Sequence, residues 1–155
     1  MDPPLPEISW RCARLHELSP LELQRIHIAR QQVFAVEQDC VFQDADEVDE
    51  HSTHLAAWRA DGVLLAYARL VDPGVKYAEP SLGRVLTTAA ARGTGVGRAL
   101  VRRAVDHLTG AFPGQGLRIS AQLRLERFYA EAGFVSIGEP YLEDDMPHIE
   151  MLRRG

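Results

Sequence analysis

One short stretch, Arg92-Gly93-Thr94-Gly95-Val96-Gly97, restricts what this chain can fold into more than any other. It follows a β-like run, Leu82-Gly83-Arg84-Val85-Leu86-Thr87, and opens a helix-like run over residues 98–109. Around that run Val96, Leu100, Val101, Ala104, Val105 and Leu108 recur at helical spacing, and Gly110 closes it. A glycine turn that becomes a helix N-terminus presents unpaired backbone N–H groups and the positive end of the helix dipole. Without Cβ atoms at Gly93, Gly95 and Gly97, a pyrophosphate can approach the backbone closely. The stretch reads as an anion cradle. A tight turn that caps a helix and binds nothing is the competing reading.

Two familiar cradles are excluded. The phosphate loop of nucleotide hydrolases needs Lys and Ser or Thr after its last glycine, and here Arg98-Ala99 follows. A dinucleotide fingerprint needs G-x-G-x-x-G, whereas the spacing here is G-x-G-x-G. The form R-x-x-G-x-G, Arg92 to Gly97, instead resembles the acyl-CoA pyrophosphate loop of the GCN5-related N-acetyltransferases (GNAT). Downstream, a short strand Leu117-Arg118-Ile119-Ser120-Ala121-Gln122 leads into residues 123–132, with Leu125, Phe128, Tyr129 and Ala132 on one helical face. Gly133 sits at a helix C-cap position and Phe134 follows. Phe128-Tyr129 before Gly133-Phe134 resembles the second acetyltransferase signature, F-Y-x-x-x-G-F.

A third set of residues is similar to the ElaA-like subfamily: residues 30–40, then Asp46 and Asp49, Ala121-Gln122, and Pro147-His148-Ile149 before Met151. The resemblance covers roughly residues 8–151. It departs at Val41-Phe42, where Pro-Tyr is usual, at Arg124, where His is common, and at Asp145, where Gly is usual; all three touch the acceptor side. The resemblance implies a single α/β domain over residues 8–155, with a mixed, mostly antiparallel sheet and helices on both faces, after a tail over residues 1–7. It implies acetyl-CoA as co-substrate, held by Arg92, Gly93, Thr94, Gly95, Val96, Gly97 and Arg98, and no metal. Backbone N–H of Val85, Leu86 and Thr87 would serve the thioester carbonyl. Gln122 stands where many members carry an Asn that bonds the pantetheine arm, and Tyr129 matches the frequent general acid.

The whole chain agrees with this frame. At 155 residues it is one domain with room for a core, and 46% hydrophobic with 25% charged residues is ordinary globular composition. A net charge of -5 argues against nucleic acid as a general partner. The basic residues Arg92, Arg98, Arg102 and Arg103 nevertheless occur with no acid between them, as an anionic cofactor would require. Cys12 and Cys40 are too few for a disulfide framework. The Pro-rich, acidic N-terminus is unlike a signal peptide, and no apolar run approaches membrane length, so the expected location is cytoplasmic, away from membranes. Nothing in the sequence sets the oligomeric state, a homodimer included.

In order along the chain, residues 8–15 alternate as a first strand. Ser19-Pro20-Leu21-Glu22 starts a helix with an N-cap, a first-turn proline and a capping-box Glu, and that helix continues to near Val36. Residues 43–50 read as an acidic loop or irregular helix. Residues 54–60 and 63–71 read as strands joined by a type I′ turn at Asp61-Gly62. Pro80 begins the strand that enters the glycine turn.

Acetyl transfer to an amine needs a base, because an ammonium near pKa ~10.4 has no lone pair. The candidates are Glu37, which the subfamily motif singles out, His54 and His148, with Asp46 and Asp49 beside them. Each has a plainer reading: a strand-end His54, a structural His148, a solvated acidic loop. The sharper expectation is that Arg30, Asp46, Asp49 and His148 contact a small-molecule or peptide amine, the aspartates holding a cationic acceptor. Arg30-x-x-x-Phe34, Asp46-x-x-Asp49 and Arg69-Leu70 also resemble autoinducer synthases, acyl transferases that typically lack the R-x-x-G-x-G loop. A non-catalytic acyl-CoA-binding domain is the third alternative.

Overall fold

The computed structural model describes residues 7–155, so the expected tail lies, apart from Glu7, outside the described residues. Four strands form one antiparallel sheet in the order β1 (Ile8–Arg14), β2 (Ser52–Arg59), β3 (Leu64–Val71), β4 (Ser81–Thr87). A second antiparallel sheet has the order β5 (Leu117–Gln122), β7 (Met146–Arg153), β6 (Val135–Glu143). Helix α2 (Val96–Ala111) carries the chain from β4 to β5. These two strands start side by side, where Arg118 N donates to Pro80 O at 3.1 Å and Arg118 Nη2 pairs with Glu79 at 2.9 Å. Beyond that point they do not pair, so one edge of each sheet faces a cleft.

Both faces of the first sheet are covered. Helix α1 (Pro20–Arg30) and the wide π-helical turn after it (Gln31–Glu37) bring Ile26, Ala29 and Phe34 against Ala56, Leu64, Tyr67 and Leu86. On the opposite face Val96, Leu100, Val101, Ala104, Val105 and Leu108 of α2 pack on Leu55, Ala57, Ala66, Ala68 and Leu70. The apolar stripe read from the sequence is the buried face of α2.

Local signals were legible where they were complete. Ser19 Oγ accepts from Glu22 N at 3.1 Å while Glu22 Oε1 accepts from Ser19 N at 2.9 Å, the reciprocal box. The helix α3 (Glu126–Ala130), preceded by a 3-10 turn (Leu123–Leu125), is shorter than the apolar face suggests. It ends in a Schellman motif: Phe134 N donates to Tyr129 O, Gly133 N donates to Ala130 O, and Gly133 has φ +95°.

The hairpin at Asp61-Gly62 needs correction. Only Gly62 has positive φ, and its N–H closes on Arg59 O at 2.9 Å while Arg59 N donates to Val63 O. This is a type I turn ending in a left-handed glycine bulge, a three-residue loop. The type I′ turn lies elsewhere, at Asp144 (φ 49°) and Asp145 (φ 60°), between β6 and β7. Neither is glycine, but a short polar side chain that bonds locally makes Asp one of the few residues to tolerate that region.

Candidate active site

The glycine stretch begins the site. Gly93 and Gly95 have φ of +82° and +83°, a backbone that only glycine adopts without strain. Gly95 is the N-cap of α2 and no side chain caps the helix. Since the first intrahelical bond is Ala99 N to Gly95 O, the N–H groups of Val96, Gly97 and Arg98 lack helical partners. A Cβ built on Gly93 or Gly95 would meet nothing within 4 Å, so space outside the turn is open to a ligand. At Gly97 a Cβ would meet Thr87 Cγ2 at 3.4 Å, which shows how closely the first turn of α2 lies against the end of β4.

A groove runs from this turn, lined by Glu37, Val85, Leu86, Thr87, Arg92, Gly97, Gln122 and Phe128. Six of the expected cofactor residues line it. Thr94 and Val96 belong to the turn itself, with Val96 buried so that only its backbone faces outward. The side chain of Arg98 turns away and pairs with Glu131 at 3.1 Å on the outer face, leaving only its backbone N–H at the turn. Glu37 is not a free carboxylate: Arg92 Nη2 reaches both its oxygens, Oε2 at 3.0 Å.

The cleft between β4 and β5 adjoins the groove, and Phe34, Gln38, Val85, Gln122 and Leu125 line both. The Gln122 amide sits at this passage, donating to Gln38 Oε1 at 3.3 Å and accepting from Arg124 Nε at 3.0 Å. Tyr129 and His148 line the cleft. Burial pushes the Tyr129 phenol well above its ordinary value, against a small opposing effect of Arg124, so it keeps its proton at neutral pH. His148 Nδ1 donates to Met146 O at 2.8 Å; in the neutral ring this leaves the lone pair on Nε2, 3.4 Å from Glu143 Oε2.

His54, Arg30 and Asp49 are placed elsewhere, and the readings that put them against substrate are corrected by their surroundings. His54 is 1% exposed. Its Nε2 lies 3.0 Å from Asp49 O, a carbonyl that can only accept, so Nδ1 accepts from Tyr67 Oη at 2.6 Å. Neither nitrogen is left for an amine. Arg30, also 1% exposed, holds Asp49 at 2.9 Å and Asp44 at 2.8 Å. Arg69 binds Asp46 at 2.6 Å and Asp49 at 3.1 Å, and Arg84 binds Asp44 at 3.0 Å. Asp44, Asp46 and Asp49 are thus paired with arginines from α1, β3 and β4, and Asp46 and Asp49 are not offered to a cationic acceptor. The scattered pattern that resembles autoinducer synthases, Arg30, Asp46, Asp49 and Arg69, is this buried network.

Sequence reasoning missed Gln38, Lys76 and Glu143. Gln38 follows the π-helical turn, whose geometry no local pattern announces, and the other two reach the cleft from loop and strand-end positions. Among the described residues no group of three or more His, Cys, Asp or Glu is arranged to hold a metal, and no helix is long and apolar enough to cross a membrane.

The fold and the glycine turn match an acyltransferase of the GNAT type, and the sequence comparison agrees: the model of the acetyltransferase (GNAT) domain matches residues 24–154. The chain belongs to the GNAT family. Within it, UPF0039 protein sll0451 of Synechocystis is 43% identical over 148 residues, covering 96% of each chain. The crystal structure of Escherichia coli ElaA has a TM-score of 0.88 at 35% identity, covering 96% of this chain and 100% of that one. An acyl-CoA N-acyltransferase from Pseudomonas aeruginosa has a TM-score of 0.89 at 41% identity, covering 95% of this chain and 99% of the other. The ElaA-like resemblance read from the sequence is confirmed.

Proposed function

We propose that this protein transfers an acetyl group from acetyl-CoA directly to a primary amine. The observation that carries the reading is the uncapped, left-handed glycine start of α2, which opens on a groove continuous with the cleft holding Tyr129 and His148. Acetyl-CoA supplies a thioester, an acyl carbon already activated for attack. The N–H groups of Val96, Gly97 and Arg98, with Arg92, bind the pyrophosphate. Gln122 positions the pantetheine arm. The unpaired edge of β4 at residues 85–87 directs N–H groups to the carbonyl oxygen as negative charge develops on it. His148 Nε2 takes the proton that the ammonium must lose, while Glu37 serves the groove through Arg92. As the N–C bond forms the C–S bond breaks, Tyr129 protonates the departing sulfur, and the second proton shed by the nitrogen restores the Tyr129 phenol, leaving the amide, free CoA thiol and the one proton held by His148.

Release of free CoA thiol over a panel of amines tests the reading. Binding of acetyl-CoA with no thiol release from any amine would leave a non-catalytic acyl-CoA-binding domain. Tyr129→Phe tests the acid: the ring still packs against Phe128 and Phe134 and only the oxygen is lost. A general acid contributes about 10²–10⁴-fold, but a thiol of pKa ~8.5 already leaves fairly well at neutral pH. The expected loss is therefore in kcat, at or below about 100-fold, with acetyl-CoA affinity and Tm little changed. Wild-type turnover at saturating acceptor would remove the acid role, and an early melt would make the hydroxyl structural.

A further inference from the structure

The charges around the cleft are not all matched, and the mismatch says something about the acceptor. Arg69 and Arg84, on the β3–β4 wall, are committed to Asp44, Asp46 and Asp49. Arg118, at the start of β5, is committed to Glu79 and Glu150 at 2.9 Å each. Lys76 differs from all of them. It is the single lysine in the sequence, it stands on the connection between β3 and β4, and it lines the cleft. Among the described residues it makes no ion pair or hydrogen bond.

The β6–β7 side of the cleft carries the opposite sign. Glu143 is about half exposed (46%) and His148, nearly buried, presents Nε2 to it. The Glu143 carboxylate therefore stabilises a cation next to the base. The cleft thus holds a cation that makes no ion pair and, within electrostatic reach of it, an anion beside a proton acceptor.

We infer that the acceptor is an amino acid whose carboxylate is bound by Lys76 while its ammonium is received at Glu143 and His148. The inference rests on the proposed acetyl transfer and narrows it: a diamine or polyamine would leave Lys76 facing a like charge, whereas a zwitterion satisfies both sides. It replaces the cationic acceptor expected from the acidic segment, whose aspartates are already occupied. An ion pair in a half-buried cleft, with a charge-assisted hydrogen bond, corresponds to about a 10- to 100-fold difference in apparent affinity.

The experiment compares free amino acids with their C-terminal amides, and adds spermidine, cadaverine and a simple alkylamine, reading free CoA thiol. For wild type, kcat/KM for one or more amino acids exceeds that of the matching amide by about 10- to 100-fold. In Lys76→Gln the advantage disappears through KM for the acid, while kcat and the amide's KM stay put. Because Lys76 is exposed and has no partner in the fold, its replacement leaves Tm unchanged. Equal use of acids and amides, preference for spermidine or cadaverine, or an undiminished acid preference in Lys76→Gln overturns the inference while leaving acetyl transfer standing. No thiol release from any amine, with acetyl-CoA still bound, overturns both.

Discussion

Replacing Gly95 with Asp is expected to reduce acetyl-CoA affinity by about 100-fold or more, because it removes two or more charge-assisted hydrogen bonds at about 1.5–3 kcal/mol each. The side chain would stand at the mouth of the uncapped α2 N-terminus, where its carboxylate competes for the N–H groups and repels the pyrophosphate. The fold should survive. The new Cβ meets nothing within 4 Å, and holding a non-glycine residue at φ +83° costs about 1–2 kcal/mol. Calorimetry against acetyl-CoA, with a thermal melt as control, checks both halves. Undiminished affinity would mean that the glycine turn only caps a helix.

The second large effect is on stability. Asp49 is 5% exposed and is held by Arg30 at 2.9 Å and by Arg69 at 3.1 Å. Asp49→Asn leaves those buried guanidinium groups short of one negative charge, and breaking a buried pair in this way costs about 3–5 kcal/mol. In a chain of this size that lowers Tm by roughly 10 °C. The same region makes stability depend on pH in two windows. Burial lowers the His54 pKa from its ordinary 6.5, so the unfolded chain takes up a proton that the folded chain refuses. This contribution is complete above pH 6.5 and declines as the pH falls toward the lowered folded pKa. Burial alone would raise Asp49, but the hydrogen bonds and charges of Arg30 and Arg69 outweigh it and hold the carboxyl below its ordinary 3.8. Its contribution is present above 3.8 and is lost as the pH falls through the lowered value. Melts across pH 3 to 8, an interval of about five units around these ordinary values, should show the first decline removed by His54→Gln and the second retained. A wild-type Tm that stays flat from about pH 7 to 5 would mean that folded His54 accepts its proton freely.

Much of this was written in contiguous residues. The glycine turn, the Ser19 box and the Gly133 cap depend on neighbours within a few positions, and each formed where its signals stood. The charge network depends on Arg30, Asp44, Asp46, Asp49, Arg69 and Arg84, scattered along the chain, and a local reading saw a solvated acidic stretch or a site for a cationic acceptor. A usable signal was present. Arg69 interrupts the otherwise apolar run Tyr67-Ala68-Arg69-Leu70-Val71, and Arg30 follows the buried Ile26 and Ala29 of its helix. A cation in such a place requires a buried anion, and the nearby aspartates were the available ones. The cleft between β4 and β5 was least legible, because its residues come from β4, β5, β6, β7 and the loops between distant elements, and no motif spans them.

The π-helical turn after α1 (Gln31–Glu37) closes its backbone bonds five residues back instead of four, so it is wound wider than an ordinary helix. Deleting a single residue between positions 31 and 35 would restore regular α-helical winding. Everything beyond would then turn by about 100° around the axis, swinging Glu37 and Gln38 off the groove without changing either side chain. The joint between the two cavities is thus a matter of chain length as well as chemistry, and a relative lacking that one residue would give the same groove a different wall.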